Sequence, residues 1–402
     1  MSSEPIPVTV LSGSLGAGKT TVLNHVLNSD RELNAAVVVN DMGEVNVDAE
    51  NVKRQSTLSA EGEEVIELQN GCICCRLRGD MLEEVGRLAE EREFDYLLVE
   101  SSGISEPIPV AQTFALGFED AEFDPTGVYA LDTTVTVVDA YTLWQAFDSG
   151  GALVEETEAD PGRPPEEVTL DQIEFCDVLL LNKCDLVPED ELDAIEAVLR
   201  TLQPRARIVR TEHGEIDPAE VLATGRFDFE AANRSAGWIH ELEEGHHHED
   251  ALEEHGVNSF VYRKPEPFHP ERFESLLGDV PPAVIRAKGY FWVAGREEIA
   301  MSVNVAGQSV RAGPGGQWLA TLPEEHQQVY LERNPELRES WDERWGDRGI
   351  ELVFIGRDLD REALVERLDD CLLTDEEWEA DWEAFPDPFS PEEELEMALA
   401  DD

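Results

Sequence analysis

Gly13-Ser14-Leu15-Gly16-Ala17-Gly18-Lys19-Thr20 is the stretch on which the reading of the first half of this chain turns. It satisfies G-x-x-x-x-G-K-[ST] at every fixed position. An apolar run, Pro7 to Leu11, precedes it, and a helical pattern from Thr20 to Leu27 follows. Phosphate binding needs that order of strand, loop and helix. Glycines let successive backbone N–H groups close around phosphate oxygens, and the helix N-terminus adds its dipole. Lys19 supplies positive charge for the outer phosphates, and the Thr20 hydroxyl can ligate Mg²⁺. Gly13, Gly16, Ala17, Gly18, Lys19, Thr20 and Thr21 are therefore expected to hold a nucleotide.

Working outward, Ala35 to Asn40, Tyr96 to Glu100, Thr134 to Asp139 and Val178 to Asn182 are further apolar runs. Between them, Arg78 to Arg92 places Met81, Leu82, Val85 and Leu88 at helical spacing, and Glu189 to Leu202 reads as a helix after Pro188. Continuous apolar strands alternating with helices predict an α/β fold, a mostly parallel sheet covered by helices on both faces.

Asn182-Lys183-Cys184-Asp185 ends one of the buried strands. An Asp placed there can accept hydrogen bonds from the N1–H and exocyclic amine of guanine, which adenine does not offer. After a phosphate loop and at a later strand end, Asn182, Lys183 and Asp185 read as a base-recognition element; the alternative is a turn that caps the next helix. Glu100, at the end of the Tyr96 to Val99 strand, can hold Mg²⁺ or its water, and the Gly103 N–H can approach the γ-phosphate. Asn40-Asp41-Met42-Gly43-Glu44 follows another strand, and Asp41 is the candidate to orient an attacking water. With Lys19, Asp41 and Glu100 form the expected catalytic set; for both carboxylates the alternative is turn or helix capping.

Three of the six cysteines crowd into Gly71-Cys72-Ile73-Cys74-Cys75. Three thiols so close favour a soft or borderline cation, Zn²⁺ first with Cu⁺ a competitor. The spacing is not that of a structural zinc knuckle. Cys72 and Cys74 share a face of an extended chain while Cys75 points away, so the chain must bend for all three to converge. A fourth position is then open to Glu44, water or an incoming ligand. A redox-active thiol pair or a partly buried loop are the competing readings. Cys176, Cys184 and Cys371 are scattered and read as small buried hydrophobes.

The chain of 402 residues carries 30 Lys and Arg against 89 Asp and Glu, a net charge of −59. Such a field repels phosphate, which excludes a general nucleic-acid binder. No run approaches the ~18 apolar residues of a membrane span, and the N-terminus lacks a signal core, so a cytoplasmic protein with no membrane partner is expected. The acid runs along the whole chain and only five cations are lysine, which fits a protein adapted to a salt-rich, halophilic cytosol. The organisation read from composition is 1–225 for the nucleotide domain, 226–256 for an acidic linker, 257–374 for a smaller α+β domain and 375–402 for an acidic, mobile tail. The linker carries His240, His246, His247, His248 and His255. In the second domain strands are expected at Ser259 to Arg263, Ile285 to Ala294 and Glu351 to Ile355, with a helix at Arg361 to Leu372.

Taken in order, Gly13 to Thr21, Asn40 to Glu44, Asn70 to Cys75, Glu100-Ser101-Ser102-Gly103-Ile104-Ser105-Glu106-Pro107 and Asn182 to Asp185 resemble the CobW-type GTPases, a metal-handling branch of the P-loop proteins. The resemblance covers roughly the first 210 residues; Arg286 to Trp292 and Gln317-Trp318 extend it into the second domain, toward the family's zinc-responsive bacterial branch. It implies a P-loop NTPase domain plus a smaller C-terminal domain, Mg-dependent hydrolysis of GTP, and delivery of Zn²⁺ or a similar metal to client metalloproteins. The C-x-C-C cluster, Cys72, Cys74 and Cys75 with Glu44, would bind the metal, while Thr20 and Glu100 would hold Mg²⁺. Asp41 stands where the family usually has Glu, which keeps the carboxylate and shortens its reach. A homo-oligomer is compatible with this reading. The competing functions are a GTPase activator dedicated to one metalloenzyme or a cobalamin (cobalt) pathway, a zinc buffer or regulator that binds GTP without turnover, and a small-molecule P-loop kinase.

Overall fold

In the computed structural model the residues described are 5–29, 34–40, 65–68, 82, 85–90, 94–101, 107–117, 123–149, 163–232, 236, 239, 255–339, 341–389 and 395–398. They fall into two units, residues 1–148 with 152–237, and 149–151 with 238–402. The division at 237/238 lies inside the segment read as a linker. Asp41, Glu44, Cys72, Cys74, Cys75, Gly103 and the linker's His240, His246, His247 and His248 lie outside the described residues.

The first unit is built on a seven-stranded sheet. Its strands are β1 (Ile6–Gly13), β2 (Ala35–Asn40), β3 (Val65–Leu68), β4 (Tyr96–Glu100), β5 (Tyr129–Asp139), β6 (Val178–Asn182) and β7 (Arg207–Arg210). The spatial order is β3-β2-β4-β1-β5-β6-β7, and every pairing is parallel. All five residues of β4 and of β6 are buried, as the continuous apolar runs require of strands covered on both faces. Alternation assigns them: Tyr96 and Leu98 face one core with Leu11 and Val37, while Leu97 and Val99 face the other with Val8 and Val10. The first core is closed by Val22, Leu23, Val26 and Leu27 of α1 (Lys19–Ser29). The second is closed by Val85, Leu88 and Ala89 and by Val110 and Phe114 of α2 (Pro107–Leu116). Three further helices, α3 (Ala140–Ser149), α4 (Pro165–Phe175) and α5 (Glu189–Leu202), follow in the chain. Helix α5 buries Leu192, Ile195, Val198, Leu199 and Leu202, one helical face, and carries Glu189, Asp190 and Glu191 in its first turn against Arg200 in its last, the order the helix dipole favours.

Cys176, Cys184 and Cys371 are buried and free. Burial raises the thiol pKa of all three, that of Cys371 to about 11, so they stay protonated and pack as hydrophobes.

The second unit is an antiparallel sheet of β8 (Val257–Lys264), β9 (Val284–Phe291), β10 (Ile299–Ala306), β11 (Ser309–Gln317), β12 (Ile350–Arg357) and β13 (Leu395–Ala398), in the order β13-β11-β10-β9-β12-β8. One face, with Phe260, Tyr262, Ala287, Phe291, Met301, Val303, Leu352 and Phe354, packs with Phe273, Leu276 and Leu277 of α6 (Pro270–Leu277) and with Leu364 and Leu368 of α7 (Arg361–Asp369). Gly289 has φ +150° and a Cβ there would lie 2.0 Å from the Glu351 carbonyl oxygen, so only glycine lets β9 and β12 approach. The β10–β11 hairpin was missed by the sequence reading, because Gly313-Pro314-Gly315-Gly316 looks like a loop.

Residues 375–389 differ from the expectation of a mobile tail. Thr374 caps the turn Asp375–Trp378 with a capping box. Trp378 and Trp382 join Trp345 in a cluster with ring centroids 5.1–5.9 Å apart, Trp292 reaches Trp345 at 5.1 Å and Phe389 is buried against Phe291. Aromatic burial outweighs the acidic composition. Arg272 forks onto Glu377 with both contacts at 2.7 Å and holds that carboxyl down to about 2. Because the folded value is depressed, this pair stabilises above the unfolded value near 4.5 and fades as pH falls toward 2. Phe389→Ala should lower the unfolding free energy of the intact chain by about 3 kcal/mol in denaturant titrations. A freely mobile tail would give no change.

Candidate functional site

All strands of the first sheet run the same way, so their C-terminal ends share one edge. Glu100 pairs with Leu11 of β1, Gly13 pairs with Val137 of β5, and Asp139 pairs with Asn182. The candidate site is the set of loops that leaves this edge, the usual position for a ligand in such a sheet.

The phosphate loop follows directly from β1. Gly13, Gly16 and Gly18 have φ of +139°, +78° and +105°. At Gly13 a Cβ would strike the Val137 carbonyl at 2.2 Å, and at Gly18 it would strike Asn182 Nδ2 at 2.4 Å. Backbone conformation thus favours glycine at all three positions, and close packing adds to this at Gly13 and Gly18. Lys19 Nζ donates to the carbonyls of Gly13 at 2.9 Å and Ser14 at 3.1 Å, which fixes its ammonium over the loop. The Thr20 hydroxyl donates to Glu100 Oε1 at 3.1 Å, and Glu100 is buried. These two side chains, distant in sequence, meet at the mouth of the loop. Their oxygen-only donor set fits a hard cation such as Mg²⁺.

The Asn182 to Asp185 segment is placed by Asn182 and Lys183. Asn182 Nδ2 donates to the Ala17 carbonyl at 2.9 Å, and its Oδ1 accepts from Thr211 Oγ1 and from the Gly214 N–H, both at 3.0 Å. The side chain braces the phosphate loop against the loop after β7. Lys183 takes a left-handed conformation, φ +62°, and its ammonium meets Asp139 Oδ2 at 2.5 Å. Asp139 Oδ1 also accepts from the N–H groups of Tyr141 and Thr142 at the start of α3. Asp185 points outward, its side chain 28% exposed, with His213 Nε2 at 3.9 Å. Leu15 and Leu186 are exposed, one in each of the two motif loops.

The sequence reading missed Asp139, Thr211 and Gly214. Gly214 has φ +71°, and a Cβ there would sit 3.0 Å from the Val22 nitrogen, so it seats the loop against α1. The one signal was Thr211-Glu212-His213-Gly214 following a strand too short and too charged to recognise. Among the described residues, Gly13, Gly16, Ala17, Gly18, Lys19, Thr20, Glu100, Asn182, Lys183 and Asp185 come to the one sheet edge.

A glycine-lined anion cradle, a lysine, a Thr–Glu oxygen pair and an outward carboxylate on a separate loop define a P-loop nucleotide-binding protein. Comparison with known proteins agrees. The family model described as CobW/HypB/UreG, nucleotide-binding domain, matches residues 7–210, and that of the Cobalamin synthesis protein cobW C-terminal domain matches residues 257–372. The chain is 41% identical to the Zinc-regulated GTPase metalloprotein activator 1 of Dictyostelium discoideum, over 98% of this chain and 86% of that protein. It is 30% identical to the Zinc chaperone CobW of a Sinorhizobium species, over 72% of this chain and 82% of that one. To the Zinc chaperone YjiA of Escherichia coli it is 27% identical, over 90% and 97%. The chain belongs to the CobW family of P-loop GTPases.

Asn182→Ala should lower stability by about 2 kcal/mol, since it removes three buried hydrogen bonds, and should weaken GDP binding by about tenfold or more. Chemical denaturation and displacement of a fluorescent nucleotide would measure the two effects. Unchanged GDP affinity would show that the brace does not shape the cradle.

Proposed function

We propose that this GTPase is a metallochaperone that binds Zn²⁺ as its cargo and passes it to client metalloproteins under control of the GTP cycle. One observation carries the reading: the phosphate loop, the chain beyond β2 and the chain beyond β3 all leave the same sheet edge. Asn40 pairs with Leu68, and Val39 with Glu100. Cys72 is four residues past Leu68 and Glu44 four past Asn40, so neither lies more than about 14 Å from a strand end at that edge. This chain connectivity supports a cargo site that neighbours the nucleotide loop.

In this reading the N–H groups of the phosphate loop and Lys19 bind the triphosphate and hold its charge away from an otherwise acidic surface. Thr20 and Glu100 would hold Mg²⁺, which when bound neutralises charge on the β- and γ-phosphates. Asp41 orients the attacking water and accepts its proton, while the Gly103 N–H contacts the γ-phosphate. Asp185 accepts from the guanine N1–H and amine. Cys72, Cys74 and Cys75, with Glu44, hold Zn²⁺ through thiolates and a carboxylate, a soft set suited to zinc. Loss of the γ-phosphate changes what the segment after Asn40 contacts, and so changes the hold on the cargo.

Lys19→Ala should lower GTP turnover by about a hundredfold or more, measured by phosphate release. Cys74→Ser should keep GDP binding and lose most Zn²⁺ affinity in competition with a chromophoric chelator. In the parent protein the same titration with a non-hydrolysable GTP analogue and with GDP should give different Zn²⁺ affinities. Equal affinities would mean that the GTP cycle acts on something other than metal release.

A further inference from the structure

Asp185 is the carboxylate expected to read the base, yet no hydrogen bond among the described residues fixes its orientation. A carboxylate on an exposed loop turns easily about its last torsion, which is broad and two-fold. Guanine recognition needs both oxygens in the plane of the base. The group that faces Asp185 is the His213 imidazole, with Nε2 3.9 Å from Oδ2 and the His213 side chain 77% exposed.

His213 is held there by its backbone. It has φ +54°, left-handed and unusual for a non-glycine residue, and Gly214 after it has φ +71°. The loop is anchored on both sides. Thr211 N–H donates to the Leu181 carbonyl at 2.8 Å, and the Thr211 carbonyl accepts from the Cys184 N–H at 3.2 Å. Asn182 Oδ1 takes the Thr211 hydroxyl and the Gly214 N–H, both at 3.0 Å. Lys183, with φ +62°, is the left-handed residue on the other side of Asp185. Such conformations persist where the surroundings over-determine them, and they gather at ligand sites. Here two of them flank one carboxylate.

We propose that His213 is a positioning residue for Asp185: its ring N–H donates to the carboxylate, directly after a small rotation or through one water, and sets the plane in which Asp185 meets the guanine edge. His213 thereby contributes to the choice of base without touching the phosphates. This rests on the reading of Asp185 as the guanine acceptor.

The test is displacement of a fluorescent guanine nucleotide from the full chain by GDP, IDP and ADP. IDP lacks the exocyclic amine, so the GDP-to-IDP ratio reports how well both Asp185 oxygens are aligned. His213→Gly removes the imidazole and relieves the backbone, so loss of function cannot come from strain. It should lower the GDP-to-IDP preference by about fivefold while ADP affinity moves less than about twofold. His213→Gln, which restores an N–H donor of similar reach, should recover most of the preference. A His213→Gly protein with the parent's GDP-to-IDP ratio, or with GDP, IDP and ADP weakened equally, would overturn the proposal. A parent protein that does not prefer GDP to ADP would overturn the reading of Asp185 itself, and this proposal with it.

Discussion

The nucleotide end of this protein depends on one buried amide. Asn182 sits at the last position of a fully buried strand and is itself buried. Its hydrogen bonds run to Ala17 of the phosphate loop and to Thr211 and Gly214 of the loop after β7. Three chain segments that are far apart in sequence therefore keep a fixed spacing. Gly18 is a glycine partly because a Cβ would collide with that amide. A cradle of backbone N–H groups binds phosphate well only if it does not reorganise on binding, and the Asn182 brace supplies that preorganisation.

The sheet was legible because a parallel strand covered on both faces has no alternative to a continuous apolar run. Tyr96 to Glu100 and Val178 to Asn182 could be placed to the residue on that ground. The phosphate loop was legible because its glycines and lysine serve both conformation and charge. The brace was not, since the sequence shows that Asn182 adjoins Lys183 but not that its side chain turns toward Ala17. Asp139 stayed hidden for the same reason: its partner Lys183 lies across the β5–β6 pairing. In the second unit a Gly- and Pro-rich strand was indistinguishable from a loop. The final acidic segment was misread because charge was weighed above Trp378, Trp382 and Phe389, whose rings decide its place.

The charge of −59 does not organise the fold. Some arginines meet acids in surface networks, as Arg210 does with Glu189, Asp193 and Glu196. Exposed pairs of this kind contribute at most about 1 kcal/mol each. The apolar cores carry the stability, and the acid governs solvation and repulsion of anions. Triphosphate binding is then a local exception to the global field. It needs the lysine and the concentrated backbone dipoles, which explains why Lys19 is drawn in and held by two carbonyls.

Glu100 joins the chemistry of the nucleotide to the rest of the sheet edge. It lies on the strand between β2 and β1, is in register with Val39 on one side and Leu11 on the other, and takes the Thr20 hydroxyl. The strands around it are buried and closely packed, so a change at Thr20 and Glu100 is not absorbed by bending the sheet. In sequence, β2 leads from Asn40 to Asp41 and Glu44, and β3 from Leu68 to Cys72, Cys74 and Cys75. In the proposed function those residues hold the cargo, and nucleotide state and metal affinity would be linked through this edge. Linkage is reciprocal: if GTP alters the hold on zinc, zinc alters the hold on GTP by the same factor.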